Sequence, residues 1–262
     1  MELPNLADLY SAFDSDPAPI ASFLRELAIG FDLPQPLDVL DVGCGPGRLF
    51  SPLRQLQWAV TGMEPDPDFL AAAAATAQSS RRAAVRQGGF LEVDQESEFD
   101  LVIGVNSSFA HLLTPDDRDE ALLRIHRALR PGGVVFLDLP DFLWILRHYR
   151  EPEPHTATVH GLEVTLYRRH EIDTDAATIT TTDSYEFGRE GAAPISFVHR
   201  YGIVTRPELI AAMRRAGFEE IQSFNDYGAG ADELPSGRRV MLAGRKCAVI
   251  IPPLQTFADQ PA

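Results

Sequence analysis

The chain of 262 residues holds only two cysteines, Cys44 and Cys247. Two thiols do not make a disulfide framework, and both are read as reduced. Metal-ligand spacings are missing as well. There is no H-E-x-x-H, no paired C-x-x-C and no tight group among the seven histidines, so no metal is expected. G-x-S-x-G is absent, which discards a serine-hydrolase reading. No uninterrupted apolar run approaches the roughly 20 residues needed to span a bilayer. The N-terminus lacks a basic region followed by an apolar core, so no secretory leader is expected and cytoplasmic is the default location. Basic residues are scarce, 23 Lys and Arg against 38 Asp and Glu, for a net charge of −15. That balance argues against nucleic-acid and anionic-membrane partners, which need a basic patch. It suits a small neutral or cationic substrate, and equally a plain solubility role.

What is present centres on Leu40-Asp41-Val42-Gly43-Cys44-Gly45-Pro46-Gly47. The apolar run Leu37 to Val42 reads as a buried parallel strand. The three glycines then permit positive φ and remove the Cβ that would hold a ligand off the backbone, before Arg48-Leu49-Phe50 opens a helical pattern. Strand, glycine turn and helix carry nucleotide-like ligands over a strand end. The spacing is G-x-G-x-G, and Arg48 fills the position where a dinucleotide fingerprint would need its last glycine. Asp41 stands where a pyrophosphate would meet a negative charge. A ligand with a cationic end fits better. The next strand, Trp58 to Met63, ends at Glu64-Pro65, and a carboxylate at that tip can accept both hydroxyls of a ribose.

The remaining pattern alternates. An Ala-rich helix covers Asp66 to Ala77, a weak third strand Ala83 to Arg86, and a strong fourth Phe99 to Val105. Thr114-Pro115-Asp116-Asp117 starts a helix with an N-cap hydroxyl, an early proline and acids at the positive end of the dipole. Pro131-Gly132-Gly133 stops it, and Val134 to Leu137 is the fifth strand. Such alternation predicts a parallel sheet covered on both faces, with ligand over the strand C-termini. From about Pro152 the chain turns β-rich. Leu162 to Ile172, Thr178 to Phe187 and Ile195 to Val204 predict a three-stranded antiparallel insert after the fifth strand. Thr205-Arg206-Pro207-Glu208 is a capping box, and Phe218 to Phe224 with Arg239 to Lys246 complete the sheet as an antiparallel pair.

On Asp41, the glycines and Glu64, strengthened by Phe99-Asp100-Leu101-Val102 and Leu129-Arg130-Pro131-Gly132-Gly133, the sequence resembles the class I S-adenosylmethionine-dependent methyltransferases. Its nearest likeness is to small-molecule, glycine N-methyltransferase-like members. The resemblance implies a Rossmann-like, doubly wound seven-stranded α/β sheet with the β insert as a substrate cap. The corresponding domains are 1–36 as a helical lid, 37–150 as the cofactor-binding core, 151–204 as the cap, 205–250 as completion of the sheet and 251–262 as a tail. The implied cofactor is S-adenosylmethionine. Asp41, Gly43, Cys44, Gly45 and Gly47 would line its methionine part and Glu64 with Pro65 its ribose. Where the family carries an acid for adenine this chain has Gly89, so adenine would rest on Phe90 and Leu91, or on Glu92 or Asp94. Asn106, in Asn106-Ser107-Ser108-Phe109-Ala110-His111-Leu112, would face the methionine moiety. His111 and Tyr10 are the candidates for proton transfer and amine orientation. Trp144, Tyr149, Tyr167, Tyr185, Phe197, His199, Arg200 and Tyr201 are candidates to line the acceptor pocket, with Trp144, Tyr167, Arg200 and Tyr201 foremost. The implied reaction is methyl transfer to nitrogen, with oxygen open, of a small molecule by in-line displacement. A non-catalytic regulatory protein that keeps the pocket and a nicotinamide-dependent oxidoreductase remain as rivals. A homodimer is compatible with the sequence.

Overall fold

A computed structural model describes residues 3–247 apart from 15, 79–81, 149, 151, 190, 225–226 and 228–238. Tyr149 and the tail 251–262 lie outside the described residues. The chain begins with α1 (Leu6–Phe13) and α2 (Ala18–Gly30). Alternating units follow: β1 (Asp38–Val42), α3 (Phe50–Gln55), β2 (Ala59–Glu64), α4 (Pro67–Gln78), β3 (Ala83–Gln87), β4 (Phe99–Gly104), α5 (Pro115–Ala128) and β5 (Leu129–Pro140). Then come α6 (Phe142–His148), the strands β6 (His155–Val159), β7 (Leu162–Asp173), β8 (Thr178–Phe187) and β9 (Ile195–Gly202), and finally α7 (Arg206–Arg215), β10 (Phe218–Phe224) and β11 (Arg239–Lys246).

The main sheet has seven strands in the order β10-β11-β5-β4-β1-β2-β3. All neighbours from β5 to β3 are parallel, while β11 runs antiparallel between β5 and β10. The order reverses at β1 and β4. That switch point opens the crevice over the strand C-termini where α/β sheets hold ligands. The apolar residues divide between the two faces. Leu40, Val42, Val102 and Leu137 pack with α5 and α7 on one side, and Val39, Leu101, Ile103 and Phe136 pack with α2 and α3 on the other. The expected Rossmann-like seven-stranded sheet is therefore the observed one. The expected lid 1–36 includes α2, whose stripe Ile20, Leu24 and Leu27 is buried in the second of these clusters, so this helix packs as part of the core.

Two elements depart from expectation. The cap is four-stranded, in the order β6-β7-β8-β9, where three strands were read. The missed hairpin turns on His160 and Gly161, both at positive φ, the two-residue geometry that joins twisted strands. A His-Gly pair gives a weaker sign of it than Asn-Gly. β5 also begins at Leu129, before Pro131-Gly132-Gly133. A register shift against β4 between the Phe99 and Leu101 pairings absorbs those residues, as a bulge does.

α1 ties cap to core. Leu9 lies in a third cluster with Val159, Val164, Leu166 and Tyr185 of the cap, while Tyr10 meets Phe69 of α4 edge-on at 5.2 Å. A capping box between Asn5 and Asp8 starts this short helix, supplying stability of ~1 kcal/mol that eight residues need.

Candidate active site

The glycine bend follows β1 directly. Gly43, Gly45 and Gly47 all have positive φ. At Gly43 a Cβ would come within 2.6 Å of Ser108 Cβ, whereas at Gly45 nothing lies within 4 Å. One glycine is thus demanded by packing and the other leaves its face open to a ligand. Gly47 serves packing too, with a Cβ there meeting the Phe50 ring at 2.8 Å, and it does not line the cavity described next.

A cavity of about 450 Å³ lies over the bend. Asp41, Gly43, Cys44, Gly45, Glu64 and Pro65 line one side. Gly89, Phe90, Leu91, Asn106, Tyr10 and His111 line the rest. The chain brings these expected residues together from four strand ends and α1. Glu64 is buried, and its two oxygens accept the Gly45 N–H at 2.8 Å and the Asp66 N–H at 3.0 Å. It therefore fixes the bend while each oxygen keeps a lone pair for a further donor. Asp41 is 1% exposed and its Oδ1 has no partner. Burial first, and the neighbouring Glu64 second, push its carboxyl up to about 7, against the opposing pull of Arg48. A buried carboxylate oxygen without a donor is costly, and a cationic group would relieve both the desolvation and the repulsion. These residues fit a nucleoside with an ammonium at one end and a ribose diol at the other.

At Gly89, where the resemblance carries an acid, the backbone N–H donates to Glu92 Oε2 at 2.8 Å. Glu92 lines the cavity, and Phe90 is buried against Phe109 at 5.1 Å. Cys44 is 9% exposed, and burial raises its thiol, which keeps it protonated and inert.

Asn106 and Ser107 adopt consecutive left-handed conformations, φ 51° and 73°. Such conformations cost roughly 1–2 kcal/mol per residue and cluster where surrounding structure imposes them. Here Asp138, fully buried at the end of β5, imposes them. Its carboxylate accepts the Asn106 N–H at 3.2 Å and its carbonyl accepts the Ser107 N–H at 3.0 Å. Arg239 of β11 donates to the same carboxylate at 2.7 Å, and the Tyr227 hydroxyl also donates to it. Asp14, just beyond α1, accepts from Asn106 Nδ2 at 3.3 Å and pairs with Arg48 of the bend.

A second chamber of about 250 Å³ adjoins the first and shares Tyr10, Asn106 and His199 with it. His111 packs its ring 4.8 Å from Tyr201 and 6.0 Å from His199. Burial lowers its pKa, against a hydrogen bond to the Arg200 backbone. His199 lies 3.8 Å from Asp183, and burial carries it down to about 4. Both imidazoles are thus held neutral near pH 7, the form that accepts a proton. Asp183 is fully buried and receives two bonds of 2.6 Å from Arg168. Tyr201 lines this chamber and Trp144 a third one. Tyr167 and Arg200 are exposed and line none of the three. Sequence reasoning missed Asp14, Asp138, Arg168, Asp183 and Arg239. The available signal was the acid that breaks an apolar strand run at Leu137-Asp138-Leu139, whereas Asp183 lies between Thr182 and Ser184 in a polar stretch that gives none. Among the described residues no group of side chains suited to a metal occurs, and no helix is long and apolar enough to cross a membrane.

Residues 39–133 match the model of the methyltransferase domain family. That segment is a methyltransferase domain. The chain is similar to a glycine/sarcosine N-methyltransferase of Parasynechococcus marenigrum, 31% identical over 196 residues, which cover 72% of this chain and 65% of that one. A glycine/sarcosine N-methyltransferase of Halorhodospira halochloris is 28% identical over 53% of this chain and 48% of its own. The chain thus spans about half to just under two thirds of the length of these relatives. Among solved structures, an S-adenosylmethionine-dependent methyltransferase from Clostridium acetobutylicum superposes with TM-score 0.76 at 15% identity, covering 92% of this chain and 97% of that one. A sugar N-methyltransferase from Streptoalloteichus gives 0.74 at 21% identity, over 94% and 95%. The solved structures show that the chain shares their fold over more than nine tenths of its length.

Proposed function

We propose that the chain is a small-molecule methyltransferase that moves a methyl group from S-adenosylmethionine to a nitrogen of its acceptor. The observation that carries this reading is the pair of buried carboxylates, Asp41 and Glu64, facing one cavity across a bend that Glu64 itself pins. Asp41 would hold the ammonium and Glu64 the ribose, with Phe90, Leu91 and Glu92 around the adenine. When bound, the sulfonium supplies an electrophilic methyl carbon. The protein's own work is alignment, exclusion of water by α1, and management of the acceptor's proton, and positioning of this kind is worth on the order of 7–11 kcal/mol.

Nitrogen is favoured by neutral His111 in the lining of the first cavity, since an amine must lose its proton before its lone pair can attack. Burial is the chief cause that raises the Tyr10 hydroxyl. It therefore stays protonated and orients rather than deprotonates. The glycine/sarcosine relatives add weight to nitrogen. Calorimetry with S-adenosylhomocysteine and with NADH, followed by methyl transfer across an amine and phenol panel, tests the reading. Binding of S-adenosylhomocysteine with transfer to amines is the expected result. Transfer to phenols alone would shift the acceptor to oxygen, and binding without any transfer would favour a regulatory protein. Binding of NADH alone would return the site to an oxidoreductase.

A further inference from the structure

The three chambers form a series. The inner one meets the cofactor cavity at Tyr10, Asn106 and His199, and meets a third cavity of about 400 Å³ at Pro140, His170, Thr181 and Tyr201. Their linings differ in kind. In the inner chamber every arginine is already matched. Arg168 is held by Asp183 through two bonds, and Arg239 by Asp138. The one further carboxylate, Asp14, is paired with Arg48. His170 and His199 are both shifted toward the neutral form by burial. The lining therefore offers no uncompensated charge among the described residues, and a substrate with a full charge there would pay desolvation without a counter-ion. It does offer hydrogen bonds. Tyr185 and Tyr201 line it, and neither hydroxyl bonds a protein group among the described residues. Burial raises both to about 12, so they remain donors.

The third chamber is mostly apolar, with the exposed Arg150 among its lining. Phe142, Trp144 and Ile145 of α6 face Ile172 of β7 and Ile179 of β8 across it. Trp144 stacks on His148 at 4.6 Å, which sets the indole as a flat wall. An apolar cavity that continues a polar one is suited to a single molecule with two unlike ends.

We propose that the acceptor is an elongated amphiphile, with an uncharged head that bears hydroxyls or a weakly basic nitrogen in the inner chamber and an aliphatic or aromatic tail against Trp144. The proposal rests on the methyltransferase reading for the word acceptor, but the binding it requires does not need methyl transfer. Small carboxylate-bearing substrates are disfavoured by the same inventory of charges, because neither Arg168 nor Arg239 is available to them.

The probe is n-octyl β-D-glucoside below its micelle concentration, titrated into the full chain with S-adenosylhomocysteine present. D-glucose supplies the head alone, and octanoate and n-octylamine supply the tail with charged heads. Binding is read by calorimetry and by Trp144 fluorescence, with Trp58 buried in the core as a constant background. Octyl glucoside is expected to bind at least tenfold tighter than each of the other three and to change the emission. Trp144→Ala should remove that advantage over glucose. Trp144→Phe should keep the affinity and lose the signal. Tyr185→Phe should weaken octyl glucoside and glucose by similar factors. Equal or tighter binding of octanoate or octylamine would overturn the uncharged head. Equal binding of glucose, or an unaltered advantage in Trp144→Ala, would overturn the tail. If Trp144→Ala loses its melting transition, Ile172→Ser repeats the test from the opposite wall. The affinity for S-adenosylhomocysteine, measured first on each variant, separates a failure of the cofactor site from a failure of this proposal.

Discussion

Asp14, one residue past α1, is bonded to Asn106 of the loop after β4, Oδ2 to Nδ2 at 3.3 Å. The same oxygen pairs with Arg48 of the glycine bend, so one carboxylate clamps the N-terminal helix over the cavity. Asp14→Asn should loosen that clamp. Losing one charged partner of a part-buried pair costs roughly 1–3 kcal/mol, which predicts about a tenfold weaker affinity for S-adenosylhomocysteine and faster proteolysis near α1. Unchanged affinity with unchanged proteolysis would show that the helix closes without it.

Asp41 should make the free protein sensitive to pH. Its folded carboxyl is raised from 3.8 to about 7, by burial and then by Glu64. The fold therefore binds a proton that the unfolded chain has released, and stability contributed by this group falls as pH rises from about 4 to about 7. Above that window ligand-free Asp41→Asn should melt higher than the parent. A cationic ligand reverses the preference, so affinity for S-adenosylhomocysteine should rise across pH 6 to 8, with proton release detectable by calorimetry in two buffers. Asp41→Asn should bind more weakly and without that slope. A parental profile as flat as the variant's would remove Asp41 from the ammonium site.

The glycines of the bend should separate by substitution. Gly43→Ala places a methyl 2.6 Å from Ser108 Cβ at φ +74°, and a melting loss of several degrees is expected from strain and overpacking. Gly45→Ala meets no atom within 4 Å but keeps φ +56°. It should cost about 1–2 kcal/mol of stability and weaken S-adenosylhomocysteine tenfold or more by filling ligand space. Equal losses of affinity relative to stability in the two variants would deny the bend its open face.

His111→Ala should lower turnover on an amine at least 100-fold while leaving affinity for S-adenosylhomocysteine within about threefold, as general-base catalysis is worth 10²–10⁴. The lowered pKa places the acid limb of the rate profile below the ordinary imidazole range. A profile that keeps this limb in His111→Ala would assign it to another group, with His199 the next candidate by position.

Much of this was legible in the chain. Asp41, the bend and Glu64 sit at strand ends that the apolar runs announce, and the sheet follows from their alternation. The polar interior of the acceptor side was not. Asp138 meets Arg239 from 101 residues away, and Asp183 meets Arg168 only once the register of β7 on β8 sets them opposite. A strand acid reads as a solvent-facing residue until its partner is known. Arg200 shows the same limit from the other direction. Its neighbours His199 and Tyr201 line the inner chamber, and the alternation of β9 turns it out to solvent. α6 went unread because the seven residues Phe142–His148 are too few for a clear helical period.

Arg239 belongs to β11, which enters the sheet between β5 and β10. During synthesis the ribosome will have delivered the glycine bend and both of its acids long before this strand emerges. The bend and its acids are thus in hand early, whereas the loop at Asn106 and Ser107 waits for Arg239 before its buried anchor gains a counter-ion. Acceptor recognition is in that sense the last competence the molecule acquires, and a chain cut short before β11 would be a holder of nucleoside with no finished place for what it should modify.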